Sequence, residues 1–274
     1  MTTKQYLSGR NNLACTIFVP WDCSNNCPFC TSKEMYSRMK DDFNLEEIIT
    51  KIKILNNNPI IHEYVLTGGE PLSNLDNLKR IINAMEKVVY INTTLPKMNN
   101  IDEIIEYINN ESKIGGINIS RHLNYQFDSP ISTDDKIELI NKPIRINTVL
   151  PKELNVAKLF KFIAKYGNDK QMINLREDYR YIDVTTLKDR NQTVELLSDY
   201  FEYRGTNTCM VCNSEFFQAP NCIVCYHRGL QFSAFNLSTK CYVNDVLITP
   251  DGNIYKDWSF ENDNNFNKFI LNYG

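Results

Sequence analysis

No stretch of this chain of 274 residues stays apolar for anything near the ~20 residues a membrane crossing needs. The opening residues, MTTKQYLSGRNN, also lack the apolar core of a secretory signal. Charge of one sign is missing as well. With a formal net charge of −3, the chain has no evident surface for a polyanion, so nucleic acid is not the expected partner. Long linkers, internal repeats and low-complexity tracts are absent. These absences leave a soluble, cytoplasmic protein as the expectation. At 42% hydrophobic content the chain can bury one large domain, or one domain with an appendage. Its richness in Asn, Ile and Lys is compositional and carries no functional content.

Cysteine is present in quantity, with nine along the chain. In a reducing compartment that number argues for metal ligands or buried thiols rather than disulfides. Three of them, Cys23, Cys27 and Cys30, stand as C-x3-C-x2-C inside PWDCSNNCPFCTS. A set of three leaves an odd thiol over after any disulfide and is one ligand short of a closed zinc tetrahedron. Soft thiolates this close suit iron–sulfur chemistry, and three protein ligands leave one metal position open for catalysis. A zinc knuckle or simple buried thiols are the plainer alternatives.

Apolar patterning alternates between strand-like and helix-like segments. Strands are expected at Cys15 to Pro20, Tyr64 to Thr67, Val88 to Leu95, Ile114 to Ser120, Ile144 to Leu150 and Met172 to Arg176. Helices are expected at Leu45 to Leu55, Leu75 to Val88, Ile101 to Ile108, Asp134 to Ile140 (with Ser132 or Thr133 as cap), Val156 to Tyr166 and Val194 to Tyr203. Six such units in order imply a parallel sheet with helices outside it: an α/β fold, a partial (β/α)6 TIM-like barrel. The expected domains are that barrel over 13–203 and a small, cysteine-containing, β-rich C-terminal appendage over 204–274 packed on it. In such sheets chemistry gathers at the carboxyl ends of the strands. The polar motifs obey this: the cysteine loop follows the first strand and Gly68-Gly69-Glu70-Pro71 the second. Asn92 to Thr94 end the third, Ser120, Arg121 and His122 the fourth, and Arg176 and Glu177 the sixth, with Asn147 inside the fifth.

The C-x3-C-x2-C spacing, with Phe29 just before the last cysteine, resembles the signature of the radical S-adenosylmethionine (SAM) superfamily. LTGGEPL at Leu66 to Leu72 is similar to that superfamily's second motif, and RINTVL at Arg145 to Leu150 resembles the fifth strand of its MoaA-like branch. The resemblance covers roughly residues 13 to 180. It implies a 4Fe–4S cluster on Cys23, Cys27 and Cys30, with SAM on the fourth iron. It further implies reductive cleavage of SAM to a 5′-deoxyadenosyl radical that abstracts hydrogen from a substrate, the protein's part being to bind, orient and exclude water. The same resemblance gives roles. Gly68 and Gly69 would let backbone approach the cofactor, and Glu70 would take the methionyl ammonium. Pro71 would stiffen the turn, and Phe29 would pack near the adenine. Ser120 and Asn147 would hold the ribose hydroxyls or the carboxylate, and Arg176 the SAM carboxylate. Asn92, Thr93 and Thr94 are strand-end candidates for the cofactor or for ordinary hydrogen bonds. His122 and Tyr125, Tyr179 and Tyr181 are candidates to face substrate.

A second cysteine set, Cys209, Cys212, Cys222 and Cys225, reads C-x2-C-x9-C-x2-C. Buried thiols in a hairpin, a zinc site and a second iron–sulfur cluster all stay open. Cys241 is a substitute ligand, and Cys15 reads as a core thiol. VLITPDGNIYKDW reads as a closing hairpin around a Pro-Asp-Gly turn. Two substrate classes lead, a small metabolite or a peptide, with an external electron donor of flavodoxin or ferredoxin type. The rival from another class is a non-catalytic iron–sulfur or zinc protein in electron transfer or regulation. Glu70 discriminates, since an electron carrier has no use for that carboxylate.

Overall fold

The computed structural model describes residues 13–21, 23, 25–30, 32, 43–123, 133–178, 188–208, 213–228, 246–258 and 260–272. The fold is α/β, with parallel-dominated sheet, as the alternation predicts. By contacts the chain forms two compact units.

The first unit holds residues 1–117, 130–142 and 241–274. Strand β1 (Leu13–Val19) pairs in parallel with β2 (Ile61–Gly68), and β2 with β3 (Val88–Thr93). Between them run α1 (Leu45–Asn56) and α2 (Leu75–Ala84), followed by α3 (Ile101–Asn110). Strand β4 (Ile114–Ser120) passes through the boundary, and a single turn, α4 (Asp134–Ile137), follows. Helix α1 starts where Asn44 accepts a hydrogen bond from the Glu47 N–H at 3.1 Å, the usual N-cap device. Its apolar stripe, Leu45, Ile48, Ile49, Ile52 and Leu55, is buried. Tyr64, on the β2 face shared with Leu66, donates to Asn56 Oδ1 at 2.9 Å and so turns that face to α1. Cys15 and Ile17 of β1 lie beside Tyr64 and Leu66 on this face, all fully buried, so Cys15 is the core thiol expected. On the other face Phe18 meets Trp258 and Phe260 edge-on.

The second unit holds residues 118–129 and 143–240. Strands β5 (Ile144–Leu150), β6 (Gln171–Glu177) and β9 (Ile223–Arg228) run in parallel, in that order. Strand β9 continues antiparallel into β8 (Asn213–Gln218) and β7 (Glu202–Thr208). Helices α5 (Val156–Tyr166) and α6 (Lys188–Tyr200) follow β5 and β6.

The last strands return to the first unit. Strand β10 (Val246–Ile248) joins β1 in parallel, β11 (Ile254–Tyr255) closes the expected hairpin, and α7 (Asn264–Leu271) ends the chain.

Several boundaries shift from the pattern, and three helices depart from it most. Helix α2 stops at Ala84, not Val88, because Asn56 takes its terminal carbonyl through Nδ2 (2.8 Å) and the Glu86 N–H through Oδ1 (3.1 Å). Helix α4 spans one turn, and Thr133 at its start sends its hydroxyl to the Leu95 carbonyl rather than to a cap. Helix α6 begins at Lys188 and ends at Tyr200, leaving Glu202 onward to β7. No helix among the described residues is long and apolar enough to cross a membrane.

Candidate functional site

The chain after β1 runs through Pro20 and Trp21 into the cysteine loop, and the chain after β2 is Gly68 to Pro71. The two are bound together backbone to backbone. The Gly69 N–H donates to the Val19 carbonyl at 3.0 Å and the Glu70 N–H to the Trp21 carbonyl at 3.1 Å. The approach explains both glycines. A Cβ on Gly69 would lie 1.7 Å from the Trp21 carbonyl oxygen, and one on Gly68 2.3 Å from that of Val19. Gly68 also sits at φ +121°, which side-chain-bearing residues rarely adopt. The close approach that needs glycine is thus to the chain's own cysteine arm. Pro71 and Leu72, both buried, open a short 3-10 turn that fixes Glu70 from the other side.

Glu70 is 2% exposed, and its carboxylate is fully engaged by donors. Oε1 accepts from Thr93 Oγ1 at 2.5 Å and the Leu72 N–H at 3.2 Å; Oε2 accepts from the Thr94 N–H and Oγ1, each at 2.8 Å. Burial pushes its pKa up, and these four hydrogen bonds pull it back. Among the described residues none of its hydrogen-bond partners is a Lys or Arg. Thr93 was expected as a cofactor contact. Its hydroxyl donates to Glu70 and accepts from the Leu95 N–H at 2.8 Å, with Leu95 itself at φ +47°. Asn92 faces the opposite side of β3, half-buried. Thr94, a strand-end candidate like Thr93, serves the same carboxylate, and Trp21 completes the shell unpredicted. The only sequence signal for Trp21 was its adjacency to the first cysteine.

Cys23, Cys27, Phe29 and Cys30 are half-buried, and a Cys30 N–H to Cys27 carbonyl bond of 3.1 Å closes a tight turn between the last two thiols. Cys23 titrates above the usual thiol range, chiefly through burial, with Asn25 opposing this and the Glu70 and Cys30 charges adding to it. Cys23 lies within electrostatic reach of Cys30 and of the buried Glu70, while the three thiols of the loop are not gathered into one group of ligands. It is the chemistry of the donor set, three soft thiolates in C-x3-C-x2-C, that fits an iron–sulfur cluster. Trp21 Nε1, buried with no partner among the described residues, is one more donor at this place.

The second unit carries Ser120, Asn147 and Arg176. Ser120 ends β4, and the next N–H, of Arg121, donates to the Asn147 carbonyl at 2.9 Å. Asn147 Oδ1 accepts from Asn174 at 2.9 Å across the β5–β6 register. Arg176 lies opposite Val149 and His227, two residues along from the Asn147 row, with its side chain exposed. His122 accepts the Val149 N–H on Nδ1 at 3.2 Å, which leaves its proton on Nε2. Burial, then the Arg121 charge, push its pKa down to about 4, so it is a neutral donor. Tyr125, Tyr179 and Tyr181 lie outside the described residues.

Of the second cysteine set, Cys209 and Cys212 lie outside the described residues, as does Cys241. Cys222 and Cys225 are buried. Cys222 packs against Gly167, and burial pushes its thiol up to about 11. Among the described residues no group of three or more candidate ligands clusters as a metal site.

A model of the Radical SAM superfamily matches residues 22–211. No curated protein matches the chain. Among solved structures it is similar to crystal structures of SuiB from Streptococcus suis. The likeness to SuiB alone and to SuiB bound to S-adenosylmethionine has a TM-score of 0.62 at 16% identity. For SuiB bound to the precursor peptide SuiA the TM-score is 0.64 at 15% identity. Each match covers 95% of this chain and 64% of SuiB, so the chain spans under two thirds of that protein's length. At this identity the likeness speaks for the fold, in agreement with a partial TIM-like barrel.

Proposed function

Because the chain belongs to the radical SAM superfamily, we propose that it is a radical SAM enzyme holding a 4Fe–4S cluster on Cys23, Cys27 and Cys30 and acting on a peptide. When bound, the cluster and SAM supply reductive cleavage of a carbon–sulfur bond and abstraction of hydrogen from the substrate. The observation that carries this reading is Glu70: a fully buried carboxylate, held by four donors, with no ion pair to a Lys or Arg among the described residues, and acting on Cys23. A buried anion of this kind asks for a cation from outside the chain, and the methionyl ammonium is one. An electron carrier would have no use for it.

The chain's own residues have the following proposed parts. The three thiols ligate and leave one iron position open. Gly68 and Gly69 hold the Glu70 turn against the cysteine arm. Thr93 and Thr94 aim the carboxylate, so Thr93 acts on SAM through Glu70. Pro71 fixes the turn, and Phe29 and Asn92 remain candidates for the adenosyl group. Ser120 and Asn147 take the ribose hydroxyls or the methionyl carboxylate, and the planar fork of Arg176 suits a carboxylate. The strand–helix series over 13–203 is proposed as the catalytic part, with 204–274 as its appendage. The resemblance of RINTVL to the fifth strand of the MoaA-like branch supports that branch as the proposed one.

Support for a peptide over a small metabolite comes from the structural neighbour that binds a precursor peptide. The proposed electron source is an external flavodoxin or ferredoxin. Anaerobic reconstitution followed by dithionite and SAM should release 5′-deoxyadenosine, read by chromatography, and Cys27→Ala should abolish it. Release at the normal rate from that variant would overturn the cluster assignment.

A further inference from the structure

Four side-chain polar atoms among the described residues are buried and make no hydrogen bond. Two of them, Tyr107 Oη and Asn267 Oδ1, belong to helices α3 and α7. The other two, Trp21 Nε1 and Asn25 Nδ2, stand on either side of Cys23 in the cysteine arm. Both are N–H donors with no lone pair to offer, so both ask for an acceptor. A buried donor left without one destabilises the fold that holds it, and two so close together call for an acceptor that the arm is built to receive.

The arm holds these donors in place. The Trp21 carbonyl accepts the Glu70 N–H at 3.1 Å and lies where Gly69 leaves room for it, which pins the Trp21 backbone against the Glu70 turn. Asn25 lies close enough to act on the Cys23 sulfur through its backbone N–H and through its side chain, while Nδ2 stops short of a formed bond. A thiol is a weak acceptor; an ionised sulfur is a strong one. The stretch from Pro20 to Ser32 contains no Lys or Arg, so the donors it supplies itself are neutral N–H groups. The sulfurs of an iron–sulfur centre are acceptors, and an added electron makes them stronger ones. Hydrogen bonds to them therefore favour the reduced state. We propose that Trp21 Nε1–H and Asn25 Nδ2–H donate to sulfurs of the cluster on Cys23, Cys27 and Cys30 and raise its reduction potential. The assignment rests on the cluster reading above, and it gives both donors to the cluster rather than to SAM.

The test uses the full chain, reconstituted anaerobically, in a potentiometric titration followed by EPR without SAM. Trp21→Phe keeps an aromatic ring and removes the N–H; Asn25→Leu keeps the bulk and removes the amide. Each should leave iron per chain unchanged and lower the constant for one-electron reduction about three- to tenfold, tenfold being a midpoint drop of about 59 mV. With tryptophan isotopically labelled at the indole nitrogen, the reduced cluster should show a nitrogen coupling in pulsed EPR. Trp21→Phe should abolish it, which separates Trp21 from the chain's other tryptophan, Trp258. In cluster-free protein the indole N–H has no acceptor, so Trp21→Phe should not lower the urea midpoint, as loss of a merely structural residue would. Unchanged reduction midpoints in both variants overturn the proposal, and so does a nitrogen coupling that survives Trp21→Phe. Unchanged midpoints with weakened SAM binding overturn it too, and assign the donors to SAM. A wild-type chain that takes up no iron overturns the cluster reading and this assignment with it. A wild-type cluster whose EPR signal ignores SAM overturns the radical SAM reading alone.

Discussion

Replacing Glu70 by Gln keeps the side chain's shape and removes its charge. The amide would then face four donors with half the acceptor capacity, and a cation brought to the site would lose its partner. A charge-assisted hydrogen bond is worth about 1.5–3 kcal/mol, so SAM affinity should fall about ten- to hundredfold. The iron content should stay normal. Titrating the SAM-induced change in the EPR spectrum checks this, and unaltered affinity would count against the assigned role. Gly69→Ala tests a different link. Its Cβ meets the Trp21 carbonyl at 1.7 Å, so the β1 and β2 ends must part, and iron per chain should drop. The GGEP motif was legible in the sequence, but the reason for its glycines was not. Their partner is a backbone carbonyl about fifty residues upstream, which local pattern cannot show. Two histidines set a pH dependence at this scale. Burial first, and arginine charge second, push His122 and His227 each down to about 4. Unfolded histidine titrates near about 6.5, so between these values the unfolded chain binds more protons than the folded one. Stability should therefore be full above about pH 6.5 and decline as the pH falls toward 4. Urea unfolding of cluster-free protein reads it, and His227→Gln should make the decline shallower.

At the scale of elements, polar side chains decide where segments stop. Lys87 Nζ donates to the Asn58 carbonyl at 2.6 Å and the Ile61 carbonyl at 2.5 Å, joining the end of α1 to the start of β2. Lys87→Met should leave these carbonyls short of a donor and cost about 1–3 kcal/mol in urea unfolding. Lys79 offers the contrast, since its ion pair with Glu103 is solvated, with side chains 34% and 58% exposed. Lys79→Met should cost under about 1 kcal/mol; equal losses would refute the distinction. The same physics separates what the sequence disclosed from what it hid. Strands β4 and β5 and helix α5 begin and end at the expected residues, because their apolar periods run unbroken between turn residues. Helix α2 was read too long, because its stop depends on Asn56, which belongs to another helix. Strands β7 to β9 showed only as short apolar pieces. That β9 lies beside β6, with two intervening strands pushed outward, is a non-local pairing that no window along the chain contains. Hence Arg176 was readable as a strand-end residue, and its row with His227 and Ser214 was not.

At the scale of the whole molecule, the two ends of the sequence complete one unit. Strand β10 pairs with β1, the strand that delivers the cysteine arm, and the Asn44 N–H donates to the Pro250 carbonyl at 2.9 Å. Asn58 Nδ2 donates to the Ile270 carbonyl at 2.8 Å across 212 residues of sequence. Removing everything after residue 245 would expose the free edge of β1 and delete the buried Leu247, Ile254, Tyr255, Phe266 and Ile270. Buried apolar side chains contribute about 1.5–3 kcal/mol each, so five of them approach the whole stability of a typical domain, about 5–15 kcal/mol. The truncated chain should lose helical circular dichroism in proportion to α1 and α2 and should fail to take up iron on reconstitution, even though all three cysteines of the arm remain. Asn58→Ala removes that tie together with the Oδ1 that accepts the Ile60 N–H at 3.0 Å, and should lower stability by about 1–3 kcal/mol with iron uptake intact. A soluble truncated chain that binds iron at the normal ratio would show that β1 holds the cysteine arm without its C-terminal neighbour, and that the return of the chain serves something other than the cluster.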